Sequence, residues 1–386
     1  MQDFLERKVV LNTSIKPRIA ANFSKLGLVE ALPNLTKLYE VALIFKQAKI
    51  SISMSTSPVS WKVGLFSCFL PFFINTASMS APRRPATHQS TVEAFMVVDF
   101  HSRKILSSHE AGTRRQVASL TKIVTAMVVL DWAELTQADL SNLAVVPASA
   151  GLIGGPNRMS LRPGESISLR DALYCALIGS DNWAAETLAD HVGRNLLARG
   201  NTGGTTSPVS EFVEQMNALA ERHGATGSLF TNPHGMDHLE KVPYSCAADI
   251  ARLAIYALGK SSFTFYCSQK ERKVSIIGAS GQRQFMIKNT NKLLGQDGID
   301  GVKTGLTRRA GPCLVISADK EPVVEKLLDG RTKVTPRRLV VVVLGASDRF
   351  SAARSLLMRG WEKFDAWNAG GRQVFNSQEF LSGPKD

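Results

Sequence analysis

Ser119-Leu120-Thr121-Lys122, Ser180-Asp181-Asn182 and Lys303-Thr304-Gly305 stand in that order along a chain of 386 residues. If they act together, the fold has to gather three points far apart in sequence. Between them they supply a hydroxyl nucleophile beside an amine, a second hydroxyl beside a carboxamide, and a cation beside a third hydroxyl. That is the equipment for opening an amide next to a carboxylate through an acyl-serine intermediate. One Ser-x-x-Lys string alone says little, because residues 317–320 and 382–385 match it too. Only the copy at Ser119 precedes both other strings, and Ser180-x-Asn182 and Lys303-Thr304-Gly305 each occur once.

The local contexts suit those roles. Residues 120–129 are apolar, with neither Gly nor Pro, and predict a buried helix with Ser119 and Lys122 on one face of its first turn. A helix N-terminus there aims backbone N–H groups at whatever is bonded to Ser119. Ser168-Leu169-Arg170-Asp171 has the form of a capping box that opens a helix through Leu177. Gly179 breaks that helix, which leaves Ser180-Asp181-Asn182 in a loop. Residues 298–302 lead into Lys303 and 313–317 follow as a second strand-like run, so the third string is expected on an edge strand of a hairpin.

Elsewhere the pattern predicts a strand pair over 95–99 and 104–108 and a helix over 208–223, with Ser207 as its cap, Pro208 at its first position and Gly224 as its stop. A helix over 245–258, strands over 273–277, 303–305, 314–317 and 339–345, and a closing helix over 349–367 follow. Residues 321–336 read as a charged surface excursion between two strands. Strands at both ends with helices between them point to one mixed sheet beside a helical insert.

The net charge of +13 is lopsided. Residues 1–84 hold 11 Lys/Arg against 4 Asp/Glu, and the remaining excess is spread out. Neither a basic stripe with aromatics nor a nucleic-acid motif is present, so no nucleic-acid partner is expected. Lys62 precedes the apolar run 63–74, which is too short to span a bilayer as a helix, and small residues follow. That is the pattern of a secretory signal peptide. Its position inside the chain suggests Met54 as the working start. The expected division is therefore an extension over 1–53, a signal peptide over 54–81, a catalytic domain over 90–370 and a tail over 371–386. A lipoprotein reading of Leu65-Phe66-Ser67-Cys68 fits less well, because the apolar run continues past Cys68. Cys175, Cys246, Cys267 and Cys313 show no metal spacing and read as buried thiols, with a disulfide among them left open. The seven His are scattered, so neither a metal site nor a cofactor is expected.

At these residues the chain resembles the serine D-alanyl-D-alanine carboxypeptidases, the low-molecular-mass penicillin-binding proteins. The resemblance extends to Ala118 and Ile123 around the first string and to Asn232-Pro233-His234-Gly235-Met236-Asp237. It also takes in Asn289-Thr290-Asn291-Lys292-Leu293-Leu294, residues 298–307 and the closing strand 341–345, and covers about residues 92–366. It implies a mixed α/β fold of the serine β-lactamase and penicillin-binding-protein type. In that fold a mostly antiparallel sheet is flanked by helices with a helical insert, and the site lies between sheet and insert.

The resemblance also implies roles. Ser119 attacks the carbonyl between two terminal D-alanines. Lys122 is its base, made neutral by burial with Lys303 nearby. Ser180 relays a proton to the departing amine and Asn182 holds the substrate amide. Lys303 and Thr304 grip the terminal carboxylate, with Gly305 beside them, and the N–H groups of Ser119 and Leu306 form the oxyanion hole. The implied partners are peptidoglycan stem peptides ending in D-Ala-D-Ala, with β-lactams as covalent inhibitors. The Pro233-His234-Gly235 turn reads as structural. Asp181 and Trp183 depart from the Gly and Asp common around the middle motif, and Leu306 replaces a commoner aromatic or His. Many relatives add a β-rich domain and an amphipathic anchor. Neither is readable here, so the expectation is an exported, periplasmic or wall-associated enzyme without a stable membrane anchor. The rival readings are a D,D-endopeptidase, a β-lactamase, and a penicillin sensor or wall-binding module that does not turn over. No Glu-x-x-Leu-Asn string of one large β-lactamase class is present.

Overall fold

The computed structural model describes residues 91–200, 207–237 and 241–383. The extension expected over 1–53 and the signal peptide expected over 54–81 lie outside the described residues. Strands β1 (Val92–Asp99) and β2 (Ile105–His109) form the first hairpin. Strands β7 (Ile299–Thr307), β8 (Gly311–Lys326) and β9 (Thr332–Ala346) complete a sheet in the order β2-β1-β9-β8-β7, antiparallel at every pairing. The third string therefore does sit on an edge strand. A second sheet, β3-β4-β5-β6, joins Leu143–Val145, Ser166–Ser168, Glu271–Gly278 and Gly281–Lys288. The single mixed sheet expected from the sequence is thus corrected to two antiparallel sheets, with residues 273–277 in the second.

Strand β9 explains the architecture. Its run Leu339 to Leu344 is apolar at every position, as a strand covered on both faces must be. Val340, Val342 and Leu344 face the helical insert with Met96 and Val98. Leu339, Val341 and Val343 face the other way, onto Leu356, Trp361 and Phe364 of the closing helix Arg349–Ala369. The insert holds helices α1 (Thr121–Thr136), α2 (Leu169–Leu177), α3 (Asn182–Ala198), α4 (Pro208–Arg222), α5 (Ala247–Leu258) and α6 (Ser261–Cys267); the closing helix is α7. Helix α1 is buried nearly all round from Thr121 to Ala133, which makes it the axis of the insert.

Cap chemistry fixes the helix starts. The Ser168 hydroxyl accepts from the Asp171 N–H, and the Ser207 hydroxyl from the Ser210 N–H ahead of Pro208. Two further corrections concern segments read as irregular. Asn182 opens α3, because the Asp181 carboxylate accepts the Ala184 N–H at 2.9 Å as an N-cap, so only Ser180 and Asp181 lie in the turn. Residues 321–336 form the outer part of the β8–β9 hairpin, an antiparallel ribbon paired down to Lys326 and Thr332. Cys175, Cys246, Cys267 and Cys313 are buried free thiols.

Candidate active site

Ser119 lies in the short 3-10 turn Ala118–Leu120 that leads into α1. The turn is entered through Ala118 at φ 51°, a left-handed conformation that a residue with a Cβ rarely adopts. Lys122, one turn further on, is fully buried. Its Nζ donates to Ser119 Oγ at 3.1 Å, Asn182 Oδ1 at 2.7 Å and the His234 carbonyl at 2.8 Å. Three acceptors match the three protons of an ammonium. Burial nonetheless brings its pKa down to about 7, against the pull of the nearby Asp181 carboxylate. Asp181 is itself pushed up to about 6 by burial, although the N–H groups of Ala184 and Arg158 favour its charged form.

Asn182 is held at both ends of its amide. Its Oδ1 faces Lys122 and its Nδ2 donates to the Gly154 carbonyl at 2.8 Å. That loop comes so close that a Cβ on Gly155, at φ 88°, would lie 2.3 Å from Asn182 Nδ2. Ser180 also adopts a left-handed φ, 57°, and in this turn its hydroxyl accepts from Lys303 Nζ at 2.8 Å. Lys303 is buried too and donates to its neighbour's carbonyl, Thr304 O, at 2.9 Å. Burial holds its pKa well below the lysine range, with Lys122, Arg349 and Arg158 adding repulsion.

Gly305 lets β7 approach the nucleophile, since a Cβ there would lie 2.9 Å from the Val117 carbonyl and 3.2 Å from the Ser119 nitrogen. The Leu306 side chain is largely exposed. All three strings therefore converge: the α1 entry, the α2–α3 turn and the edge strand meet at one site. Such a grouping suits nucleophilic attack on an amide that bears a carboxylate. Among the described residues no group of His, Cys, Asp and Glu suited to a metal ion is present. No described helix is long and apolar enough to cross a membrane.

Sequence reasoning missed three participants. The Pro233-His234-Gly235 turn, read as structural, contributes the His234 carbonyl that anchors Lys122 and lies 3.4 Å from Ser119 Oγ. Gly235, at φ 79°, is indispensable there, because a Cβ would lie 2.0 Å from the Ala118 carbonyl. Arg349, the first residue of α7, donates to the Gly305 carbonyl at 2.6 Å and fixes the end of the edge strand. Thr290 places its hydroxyl oxygen 2.7 Å from that of Thr304. A backbone carbonyl leaves no side-chain signature, a lone Arg is too common to stand out, and Thr290 is visible only as part of the family-like segment 289–294, with no role attached.

Comparison with known proteins points to one family. The model of the D-alanyl-D-alanine carboxypeptidase family matches residues 78–347. D-alanyl-D-alanine carboxypeptidase DacC of Escherichia coli is 30% identical over 309 residues, covering 78% of this chain and 68% of the relative. A D-alanyl-D-alanine endopeptidase of Pseudomonas aeruginosa is 31% identical over 281 residues, covering 71% of this chain and 84% of that protein. The solved Streptomyces K15 DD-transpeptidase superposes with a TM-score of 0.59 at 26% identity, over 70% of this chain and 98% of the transpeptidase.

Proposed function

This chain belongs to the serine D-alanyl-D-alanine carboxypeptidase family, and on that premise we propose that it removes the terminal D-alanine from peptidoglycan stem pentapeptides with Ser119 as nucleophile. The observation that carries the assignment is the contact of Ser119 Oγ with a buried Lys122 whose pKa is near 7. A serine hydroxyl attacks well only when a base takes its proton, and a lysine poised near neutrality is such a base.

The substrate's terminal carboxylate binds Lys303 and Thr304. Its charge favours the ammonium form of Lys303, whose repulsion in turn favours the neutral form of Lys122. Ser119 Oγ then adds to the carbonyl carbon of the penultimate residue while its proton passes to Lys122. The N–H groups of Ser119 and Leu306 receive the oxyanion. Collapse breaks the C–N bond, Ser180 relays the proton held on Lys122 to the departing D-alanine amine, and an acyl-serine remains beside a neutral Lys122. Water adds to that ester with Lys122 again taking the proton, and Ser119 leaves as a hydroxyl. β-Lactams present the same carboxylate and a strained amide, and would acylate Ser119 by the first half of this route. The substrate places the enzyme on the exported side of the membrane, in the periplasm or at the wall.

The decisive experiment follows D-alanine release from a diacyl-L-Lys-D-Ala-D-Ala peptide by the wild type and Ser119→Ala. Release is expected from the first and not from the second. A folded wild type that is acylated by penicillin but releases no D-alanine would overturn the reading. The Pseudomonas relative supports a second reading, cleavage of D-alanyl crosslinks by the same site. Faster turnover of a crosslinked dimer than of the linear peptide would favour it.

A further inference from the structure

We propose that Thr290 is a positioning residue that turns the Thr304 hydroxyl toward the terminal carboxylate of the substrate. The inference rests on the assignment of Thr304 to carboxylate binding made above. Thr290 stands in the connection between β6 and β7, and its backbone is tied down on several sides. Its N–H donates to the Ile178 carbonyl at 3.0 Å, at the end of α2 and two residues before Ser180. Asn289 Nδ2, beside it, donates to the Cys267 and Gln269 carbonyls at 3.0 and 2.9 Å. On its other side Asn291 Nδ2 donates to the Gly301 carbonyl of β7 at 2.9 Å. A side chain on so constrained a backbone is held in place, and its Oγ1 lies 2.7 Å from Thr304 Oγ1.

Two hydroxyls at that distance share one hydrogen bond, and each has a single proton. An ionised carboxylate accepts and never donates. Thr304 can therefore serve it only by donating, and then the proton between the two threonines must come from Thr290. A hydroxyl that accepts one hydrogen bond is polarised to donate the next more strongly. Thr290 thus sets the direction of a two-bond chain that ends on the ligand's negative charge. Lys303 is tied to the same residue through its bond to Thr304 O, so cation and hydroxyl move as one unit.

The test compares a ligand that has the carboxylate with one in which it is blocked. Second-order rate constants for acylation of Ser119 are measured by mass spectrometry with benzylpenicillin and with its methyl ester, using the full chain. Thr290→Val keeps the shape and removes the hydroxyl. It should lower the constant for benzylpenicillin about tenfold, the upper end of what one hydrogen bond between neutral groups contributes, and leave that for the ester within about twofold. Thr290→Ser should restore it, and Thr290→Ala supplies the same comparison if the valine variant does not fold. Equal losses with both compounds would reduce Thr290 to a packing role and overturn the proposal, as would no loss with either. A wild type acylated by neither compound would overturn the carboxypeptidase reading and this inference together.

Discussion

At the scale of single residues, the site is organised by charge held out of water. Lys122 and Lys303 are both buried and repel one another, and Asp181 is the carboxylate that acts on Lys122. The negative charge of Asp181 raises the pKa of Lys122 against the burial that lowers it. Replacement by Asn keeps an N-cap acceptor for α3 and removes that charge. With Lys122 as the proposed base, which acts only when neutral, acylation by benzylpenicillin should rise with pH through about 7 in the wild type. In Asp181→Asn the same rise should begin at lower pH, because less stands against the loss of the Lys122 proton. A profile that does not move would separate Asp181 from the base. The sign for stability is also fixed. Between about 7 and the ordinary lysine value of 10.5, the unfolded chain holds a proton that the folded one has released at Lys122, so this residue makes stability rise with pH over that window.

At the scale of elements, the position of Asn182 depends on how α3 crosses α4. Gly193 of α3 is the point of closest approach, where a Cβ would lie 1.9 Å from the Pro208 carbonyl. At an open helical site, Gly→Ala stabilises by about 1 kcal/mol. Here the sign reverses, because the obstacle is backbone at the first residue of α4 and the helices have to separate. Gly193→Ala should lower unfolding stability by about 3 kcal/mol in urea melts, and a gain would show that the crossing yields cheaply. The sequence made some of these elements legible and hid others for a physical reason. The starts of α2 and α4 were readable because a cap is one turn of chemistry, Ser168 to Asp171 and Ser207 to Ser210. The ribbon over 321–336 was not, since its charged residues look like a loop until β8 and β9 pair. Strands β3 and β4 are three residues each, and β4 joins β5 through Ile167 and Ile276, a pairing that no local pattern announces.

At the scale of the whole molecule, the chemistry was more legible than the frame that holds it. The three strings of the candidate site need particular side chains, so they show in the sequence, whereas the contacts that close the fold are made largely by backbone and small apolar groups. The segment after α7 is such a closure. It had read as a tail, yet Leu381 is buried, and its N–H donates to the Arg103 carbonyl at 2.9 Å. Phe380 bridges to Lys104, which also pairs with Glu379, and Ser382 accepts from Arg252 Nη2 at 2.8 Å. These contacts bind the β1–β2 turn to α5. Helix α5 meets α1 through Tyr256 and Asp131, bonded at 2.8 Å, near the end of α1 away from Ser119. At 1.5 Å per residue, that contact lies about 15 Å along the helix axis from the start of α1, beside Ser119. Loss of the segment therefore weakens the frame without reaching the candidate site. Burial of one leucine is worth about 2 kcal/mol, and the lost hydrogen bonds add about 1 kcal/mol each. A chain ending at Gly370 should melt several degrees lower than the full chain and release D-alanine at an unchanged rate at 25 °C. A matching loss of rate at a temperature where the shortened chain is still folded would mean that the two ends of α1 are coupled, and that the closure also sets the geometry of Ser119.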